Sequence, residues 1–365
     1  VRGGLLPLAR HFRSLGWKVD AMAQGVSQCA QCLENFDQVH EIDFSRNPLA
    51  IRNMLTVPSA IKKVVEENNY DLVHVHTPVA AFVLRYALRN WRRSGGKILY
   101  TAHGFHFHPH GSWLRNCIFS ILEKIAGNWT DHLIVINKTD QEAARKLGLV
   151  PENRLHYIPG IGVDLQKISG ISITDTDIHS LQHELGIDDQ TPLFVMAAEF
   201  RRIKHQQQVI DALAEMKNKN AHVAFAGNGA LLQKIKNHAM KKNLTDRVHF
   251  LGFRSDIPRL FHASRAVILC SQFEGLPLSV IEALAMGVPV VGTSVRGTRD
   301  LLQDDVGFLV PPADSAALAN TLDWIIDHPE QAFEKGKRAI PTVSQYDVKN
   351  IVEHHDRLYR EVTAV

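Results

Sequence analysis

The chain has 365 residues, enough for about two domains of ordinary size. Hydrophobic residues make up 45% and charged residues 22%, with 23 Gly and 15 Pro, which excludes collagen-like, disordered and disulfide-scaffold classes. The formal charge of +3 is unevenly spread: residues 1–160 carry 19 basic against 13 acidic side chains, and residues 161–365 carry 22 against 25.

Short β-branched runs alternate with longer helical periods along the whole chain, the pattern of stacked β-α-β units. In the first half, strands are predicted at 17–23, 38–42, 72–76, 97–102, 132–137 and 154–158. Helices are predicted between them at 5–15, 49–68, 81–93, 114–127 and 140–147. In the second half, strands are predicted at 193–198, 223–226, 248–250, 266–269, 288–292 and 307–310. Helices there fall at 206–217, 229–242, 279–285 and 315–326. The Gly/Pro-punctuated segment Pro159-Gly160-Ile161-Gly162-Val163-Asp164 is the natural hinge. The expected fold is therefore α/β, with two doubly wound Rossmann-like domains at 1–160 and 161–345. A C-terminal helix at 346–365 is expected to pack back toward the first domain. Ligands in such sheets bind at the carboxyl ends of strands, so two sets of strand ends can face one cleft.

No apolar run reaches the ~18–20 residues of a transmembrane helix. The N-terminal Leu5-Leu6-Pro7-Leu8-Ala9 run is too short for a signal peptide. Four cysteines in this length suggest free thiols in a reducing compartment, and hence a cytoplasmic protein. The basic first half suits an anionic partner such as lipid headgroups or a lipid diphosphate, or is simply solvated. Arg85, Arg89, Arg92 and Arg93 with Trp91 form a basic run that reads either as a membrane-surface face or as a solvated helix. No nucleic-acid motif accompanies the charge.

The sharpest local word is Glu274-Gly-Leu-Pro-Leu-Ser-Val-Ile-Glu282. A strand ends just before it, and its Gly/Pro loop leads into a helix whose first amides form an anion site. Both glutamates can border that pocket. Alternatively, Glu282 is a solvated helix residue and Glu274 a capping carboxylate. Gly227-Asn228-Gly229 after another strand fits close approach to a ligand. His103, His106 and His108 alternate after a strand, as do His74 and His76. Metal binding by the first group is disfavoured by Gly104, Pro109 and the lack of a nearby cysteine or carboxylate pair. Cys29-x-x-Cys32 lacks the second pair of a zinc site. Asp175-Thr-Asp177 precedes a helix rather than following a strand, so it is read as chance, and no metal or other cofactor is expected.

The stretch from Phe273 to Gly292 resembles the donor-site signature of glycosyltransferase family 4, the retaining GT-B enzymes. The resemblance runs through 195–205, 225–229, 250–256 and 306–314, and in the first half through Arg46-Asn47-Pro48, 70–78, 100–107, 131–140 and 158–164. It points to the branch that builds capsular, exopolysaccharide and lipid-linked glycans. It implies that Glu282 holds the ribose hydroxyls of a nucleotide and that Glu274 faces the transferred sugar. The backbone at Gly275 and Leu276 would touch sugar or diphosphate, and Lys204 would neutralise the leaving diphosphate. Where many members carry an arginine, this chain has Ala198-Glu199-Phe200, so Arg201 or Arg202 would supply the cation and Glu199 would orient a neighbour or a sugar hydroxyl. Gly227 belongs to the donor side. The base would lie beside Phe253 and Arg254, or that segment is a strand end with Asp256 capping the next helix. His103 would face the donor sugar or the reacting oxygens, with His106 and His108 packing or lining the acceptor side.

The implied activity is a metal-independent transfer from a nucleotide sugar, UDP-linked by preference, to a saccharide on a polyprenyl diphosphate at the inner membrane face. The rivals are a non-hydrolysing nucleotide-sugar 2-epimerase and a non-catalytic sugar-nucleotide-binding subunit. In the resembling family a strand and a glycine-bearing loop precede the helix at 5–15. About a dozen residues, including a central first strand, are therefore expected to be missing ahead of Val1, leaving neighbouring strands with unpaired edges.

Overall fold

Alternate apolar runs and amphipathic periods become strands and helices in a computed structural model that describes residues 4–45, 52–107, 111–303 and 305–363. The Arg46-Asn47-Pro48 word, the start of the helix expected at 49–68, and His108 lie outside the described residues. The chain divides into two units, one of residues 1–162 with 348–365 and one of residues 163–347.

In the first unit, β1 (Ala21–Ala23) and β2 (Val39–Glu41) form a parallel pair. A separate parallel sheet runs β3 (Leu72–His76), β4 (Lys97–Ala102), β5 (His132–Val135) and β6 (Leu155–Tyr157), in that spatial order. Among the described residues no strand joins the two sheets. The final helix, Val348–Thr363, belongs to this unit. It buries Ile351, Leu358 and Val362 against Leu99 and Ile134 of the four-stranded sheet and Ile158 just after β6. Each such side chain contributes about 1.5–3 kcal/mol when removed from water.

Three of the four arginines of the basic run at Arg85–Arg93 make contacts within the unit. Arg85 is buried, bonds Glu123 at 2.8 Å and lies 4.2 Å from the Tyr100 ring centroid. Arg92 pairs with Asp131, and Arg89 bonds the Tyr86 carbonyl and stacks on its ring. The expected single helix also breaks, into Pro78–Ala87 and Arg89–Arg93, with Trp91 packed partly into the core. By contrast, the helix Trp113–Gly127 exposes Leu114, Ile118, Ile121 and Ile125, which recur at helical spacing along one side. Arg115 and Lys124 are also exposed, whereas the helix's one carboxylate, Glu123, points inward to Arg85.

Cys29 and Cys32 are bridged rather than free, since the turn into the helix Ala30–Asn35 brings their Cα atoms to 5.1 Å, within disulfide range. Cys117 and Cys270 remain free thiols. No helix of the described residues is long and apolar enough to cross a membrane.

The second unit holds β7 (Leu193–Ala197), β8 (His222–Ala226), β9 (Val248–Gly252), β10 (Ala266–Leu269), β11 (Val290–Thr293) and β12 (Phe308–Val310). All are parallel, in the order β9-β8-β7-β10-β11-β12. Helices cover both faces, which is why β7, β8, β10 and β11 are almost wholly apolar rather than alternating. The chain reverses its winding direction between β7 and β10, and a crevice at their carboxyl ends is the binding position of such sheets. The second unit thus has the Rossmann order, and each unit is an α/β layer structure built on parallel strands.

Candidate active site

The loops after β7 and β10 meet at this switch point. Gln272 N–H donates to the Ile203 carbonyl at 2.8 Å, which fixes one loop against the other. Lys204 ends a short 3₁₀ turn, Arg202–Lys204, and its Nζ donates to Glu274 Oε1 at 2.5 Å. Both side chains are mostly enclosed, at 21% and 11% exposure. Ser271, fully buried at the end of β10, donates its hydroxyl to the same carboxylate oxygen. Thr293 of β11 donates to the Ser271 carbonyl. Glu274 is therefore held by a cation and a hydroxyl from two directions, and it is not a helix cap.

The helix that follows, Leu278–Ala285, starts at Pro277 with no side-chain cap. The amides of Leu276, Leu278 and Ser279 have no acceptor among the described residues. Uncapped amides at a helix start suit an anion. Glu282 lies about one turn in, half-buried and without an ion pair or side-chain hydrogen bond among the described residues. Burial pushes its carboxyl above the usual carboxylate range.

Of the flanking cations, Arg201 is exposed and lies 3.8 Å from the equally exposed Glu199. Arg202 is exposed, with no ion pair among the described residues. Phe253 is 79% exposed, leaving its ring free to stack. Arg254 is not free in the same way: Glu184 and Asp256 both bond its guanidinium and hold it protonated. Asp256 consequently does not cap its helix, since Arg254 and Arg259 occupy its oxygens.

Gly227 and Gly229 sit in tight backbone contact with a neighbouring loop. Their φ angles are +147° and +152°, and a Cβ on either would fall 2.2 Å from the Ala198 carbonyl or 2.6 Å from that of Phe200. The close approach that requires glycine here is to the loop after β7. Sequence reasoning also passed over Arg296, Gly297 and Ser271. Arg296 lies 4.1 Å from the Phe273 ring centroid, and a Cβ on Gly297, whose φ is +74°, would fall 2.2 Å from the Gly275 carbonyl oxygen. An arginine followed directly by a glycine in a strand-end loop was the available signal.

In the first unit, His103 follows β4 and His76 ends β3. Their rings face each other, with His76 Nδ1 3.1 Å from His103 Nε2. His74 bonds Thr101 at 2.7 Å and the Tyr359 hydroxyl of the C-terminal helix. Burial holds His103 down at about 4 and His74 and His76 well below the ordinary imidazole range. All are neutral at pH 7. His106 packs edge-on against Phe119.

No group of three or more His, Cys, Asp or Glu side chains among the described residues is arranged to hold a metal ion. Asp177 forms a capping box with Thr174 at the start of the helix Asp175–Leu185, which accounts for that aspartate in structural terms.

The chain is similar to known proteins along most of its length. Residues 5–167 match the family described as Glycosyltransferase Family 4, and residues 177–340 match Glycosyl transferases group 1. The chain is 34% identical over 360 residues to the putative glycosyltransferase EpsD of Bacillus subtilis (strain 168), covering 97% of this chain and 92% of that protein. It is 28% identical over 288 residues to the Escherichia coli UDP-Gal:alpha-D-GlcNAc-diphosphoundecaprenol alpha-1,3-galactosyltransferase, covering 77% and 73%. The crystal structure of Anabaena HepE in complex with UDP superposes with a TM-score of 0.79 at 23% identity, covering 98% of this chain and 95% of that one. That likeness shows the fold, which is GT-B.

Proposed function

Since the chain belongs to glycosyltransferase family 4, we propose that it moves a hexosyl or N-acetylhexosaminyl group from a nucleotide sugar, UDP-linked by preference, to a saccharide carried on a polyprenyl diphosphate. The transfer is retaining and needs no metal, and it serves surface polysaccharide synthesis at the cytoplasmic face of the membrane. The observation that carries the reading is the Lys204–Glu274 pair at the switch point, beside a helix start with open amides.

The chemistry follows from charge. Cleaving the sugar–phosphate bond leaves negative charge on the outer phosphate oxygens. Lys204, one of Arg201 or Arg202, and the amides after Gly275 meet that charge as it grows, which lowers the barrier rather than merely binding the donor. Glu274 fixes the ammonium of Lys204 through one oxygen and offers the carboxylate to sugar hydroxyls. Glu282 takes the ribose hydroxyls in charge-assisted bonds, and the exposed Phe253 ring stacks on the base. His103 faces the sugar or the reacting oxygens.

The membrane side is carried by the helix Trp113–Gly127, whose exposed Leu114, Ile118, Ile121 and Ile125 with flanking Arg115 and Lys124 suit the headgroup region of an anionic bilayer.

A panel of nucleotide sugars, offered with and without a polyprenyl-diphosphate saccharide and in the presence of a strong chelator, tests the reading. Transfer that requires both substrates and survives chelation, with the donor's anomeric configuration kept, supports it. Conversion of the nucleotide sugar without acceptor indicates a 2-epimerase, binding without turnover indicates a non-catalytic subunit, and loss on chelation overturns metal independence.

A further inference from the structure

His76 has no part in the mechanism above, yet it occupies the carboxyl end of β3 directly beside the His103 strand end. β3 and β4 are neighbours in parallel register, His76 opposite Thr101, so the two imidazoles project side by side. They stack with ring centroids 5.2 Å apart, and the contact joins two defined atoms, His76 Nδ1 and His103 Nε2. His103 Nδ1 has no hydrogen-bond partner among the described residues. A neutral imidazole carries one donor and one acceptor nitrogen, so whatever His76 does at Nε2 fixes both the plane of the His103 ring and the character of its Nδ1.

His76 is itself held. The His74 ring packs against it at a tilt, with centroids 4.2 Å apart, and is bonded in turn to Thr101 and Tyr359. The backbone marks the same place: Thr77, directly after His76, has φ +70°, and Gly104, directly after His103, has φ +119°. Threonine in the left-handed region is strained and persists only where the surroundings over-determine it.

Cross-strand histidine pairs are also a packing habit of this chain. His132 Nδ1 meets His156 Nε2 at 2.8 Å, and His222 Nδ1 meets His249 Nε2 at 2.9 Å. Those pairs involve the first residues of β5 and β8, at the opposite ends of the sheets from any ligand. Only the His76–His103 pair lies where substrates bind in such sheets.

We infer that His76 is a positioning residue: through Nδ1 it holds the His103 imidazole by Nε2, so that His103 presents Nδ1, in one tautomer, to the transferred sugar. The inference rests on the reading of His103 as a residue of the reaction site.

Asparagine and glutamine separate this role from packing. The amide of His76→Asn falls near the Nδ1 position and can keep the bond, whereas that of His76→Gln falls near Nε2 and cannot. His76→Asn should transfer within a few-fold of wild type. His76→Gln should lower kcat by up to about 100-fold, the scale of a misplaced reacting group. UDP affinity and KM for the nucleotide sugar should stay within a few-fold. The ¹⁵N shifts of the His103 ring should report one dominant tautomer in wild type and His76→Asn, and a mixture in His76→Gln. Equal rates for the Asn and Gln variants, whether both fast or both slow, overturn the inference. Should His76→Gln not fold, a different His103 tautomer in His76→Asn with an unchanged rate overturns it as well. His103→Ala is the control: wild-type transfer in that variant refutes the reading of His103, whereas slow transfer there with indifference at position 76 refutes only the role of His76.

Discussion

Replacing Lys204 by alanine tests the switch-point site most directly. The ammonium removed lies 2.5 Å from Glu274 Oε1, in a position where both partners are largely shielded from water. In the resting protein the loss is one charge-assisted hydrogen bond, about 1.5–3 kcal/mol, because Glu274 keeps the Ser271 hydroxyl. The protein should therefore stay folded with a modestly lower Tm. In the transition state the same ammonium meets charge developing on the departing diphosphate. Removing one such preorganised donor costs about 2.7–4 kcal/mol, or roughly 100- to 1000-fold in turnover. Binding of the intact nucleotide sugar should weaken by no more than about tenfold, since its diphosphate charge is already partly met by the helix amides. Lys204→Arg should recover part of the rate by restoring a cation. Single-turnover transfer and calorimetric donor binding, measured on the same preparations, separate the two effects. A Lys204→Ala enzyme with wild-type kcat, or one that loses donor affinity in full proportion to its rate, would refute this account of the leaving-group charge.

Glu282→Ala should weaken UDP binding by about 1.5–3 kcal/mol with the fold intact, measured by calorimetry; unchanged affinity removes Glu282 from the nucleotide site. Because burial raises the Glu282 carboxyl above its ordinary 4.5, that group favours the folded state below this value, and its contribution is lost as pH rises through the raised one. Glu282→Gln should accordingly abolish that part of the pH dependence of unfolding, and an unaltered slope counts against it. Burial depresses His355 to about 4, so its contribution is present above the unfolded value of 6.5 and is lost as pH falls through about 4, a span worth roughly 3 kcal/mol. Acid unfolding of the first unit should be shallower in His355→Gln, and an identical profile would show that this ring does not titrate on unfolding. Replacing Ile118 and Ile121 by serine should reduce co-sedimentation with vesicles containing anionic lipid and leave UDP binding unchanged; equal sedimentation of variant and wild type would place membrane contact elsewhere.

Strand positions were legible because both-faces-covered strands leave apolar runs bounded by Gly and Pro. β3, β4 and β10 fall on the predicted residues, and most other boundaries shift by one to three. The loop carrying Glu274 was visible for a related reason, since a strand, a Gly-Leu-Pro turn and a helix follow one another within a few residues. What escaped are pairings between residues far apart in sequence. Nothing near Arg85 announces Glu123, so a buried ion pair reads as a surface charge. Arg254 has its partner Glu184 seventy residues upstream, and an arginine near a base-binding aromatic reads as available. The Gly227 and Gly229 pattern is real, but a sequence cannot say whether the object pressed against a glycine is a ligand or another loop. The outward stripe on Trp113–Gly127 was not legible for the converse reason: at helical spacing an exposed apolar face and a buried one look alike.

The helix Val348–Thr363 has a kinetic consequence for biosynthesis. A ribosome makes the first unit's strands early, yet Leu99, Ile134 and Ile158 wait for Ile351, Leu358 and Val362 to cover them. Residues 163–347 must be translated in between, which at about 5–20 residues per second takes roughly 10–40 s. Throughout that interval the nascent first unit carries an uncovered apolar sheet face, while the second unit can close its own core as soon as it emerges. Vectorial synthesis thus inverts the expected order, with the later-made unit finishing first and the earlier one depending on the closing residues of the chain. Codon changes that slow translation of residues 163–347 should lengthen the exposure and raise the demand for chaperones, without altering a single contact of the finished protein.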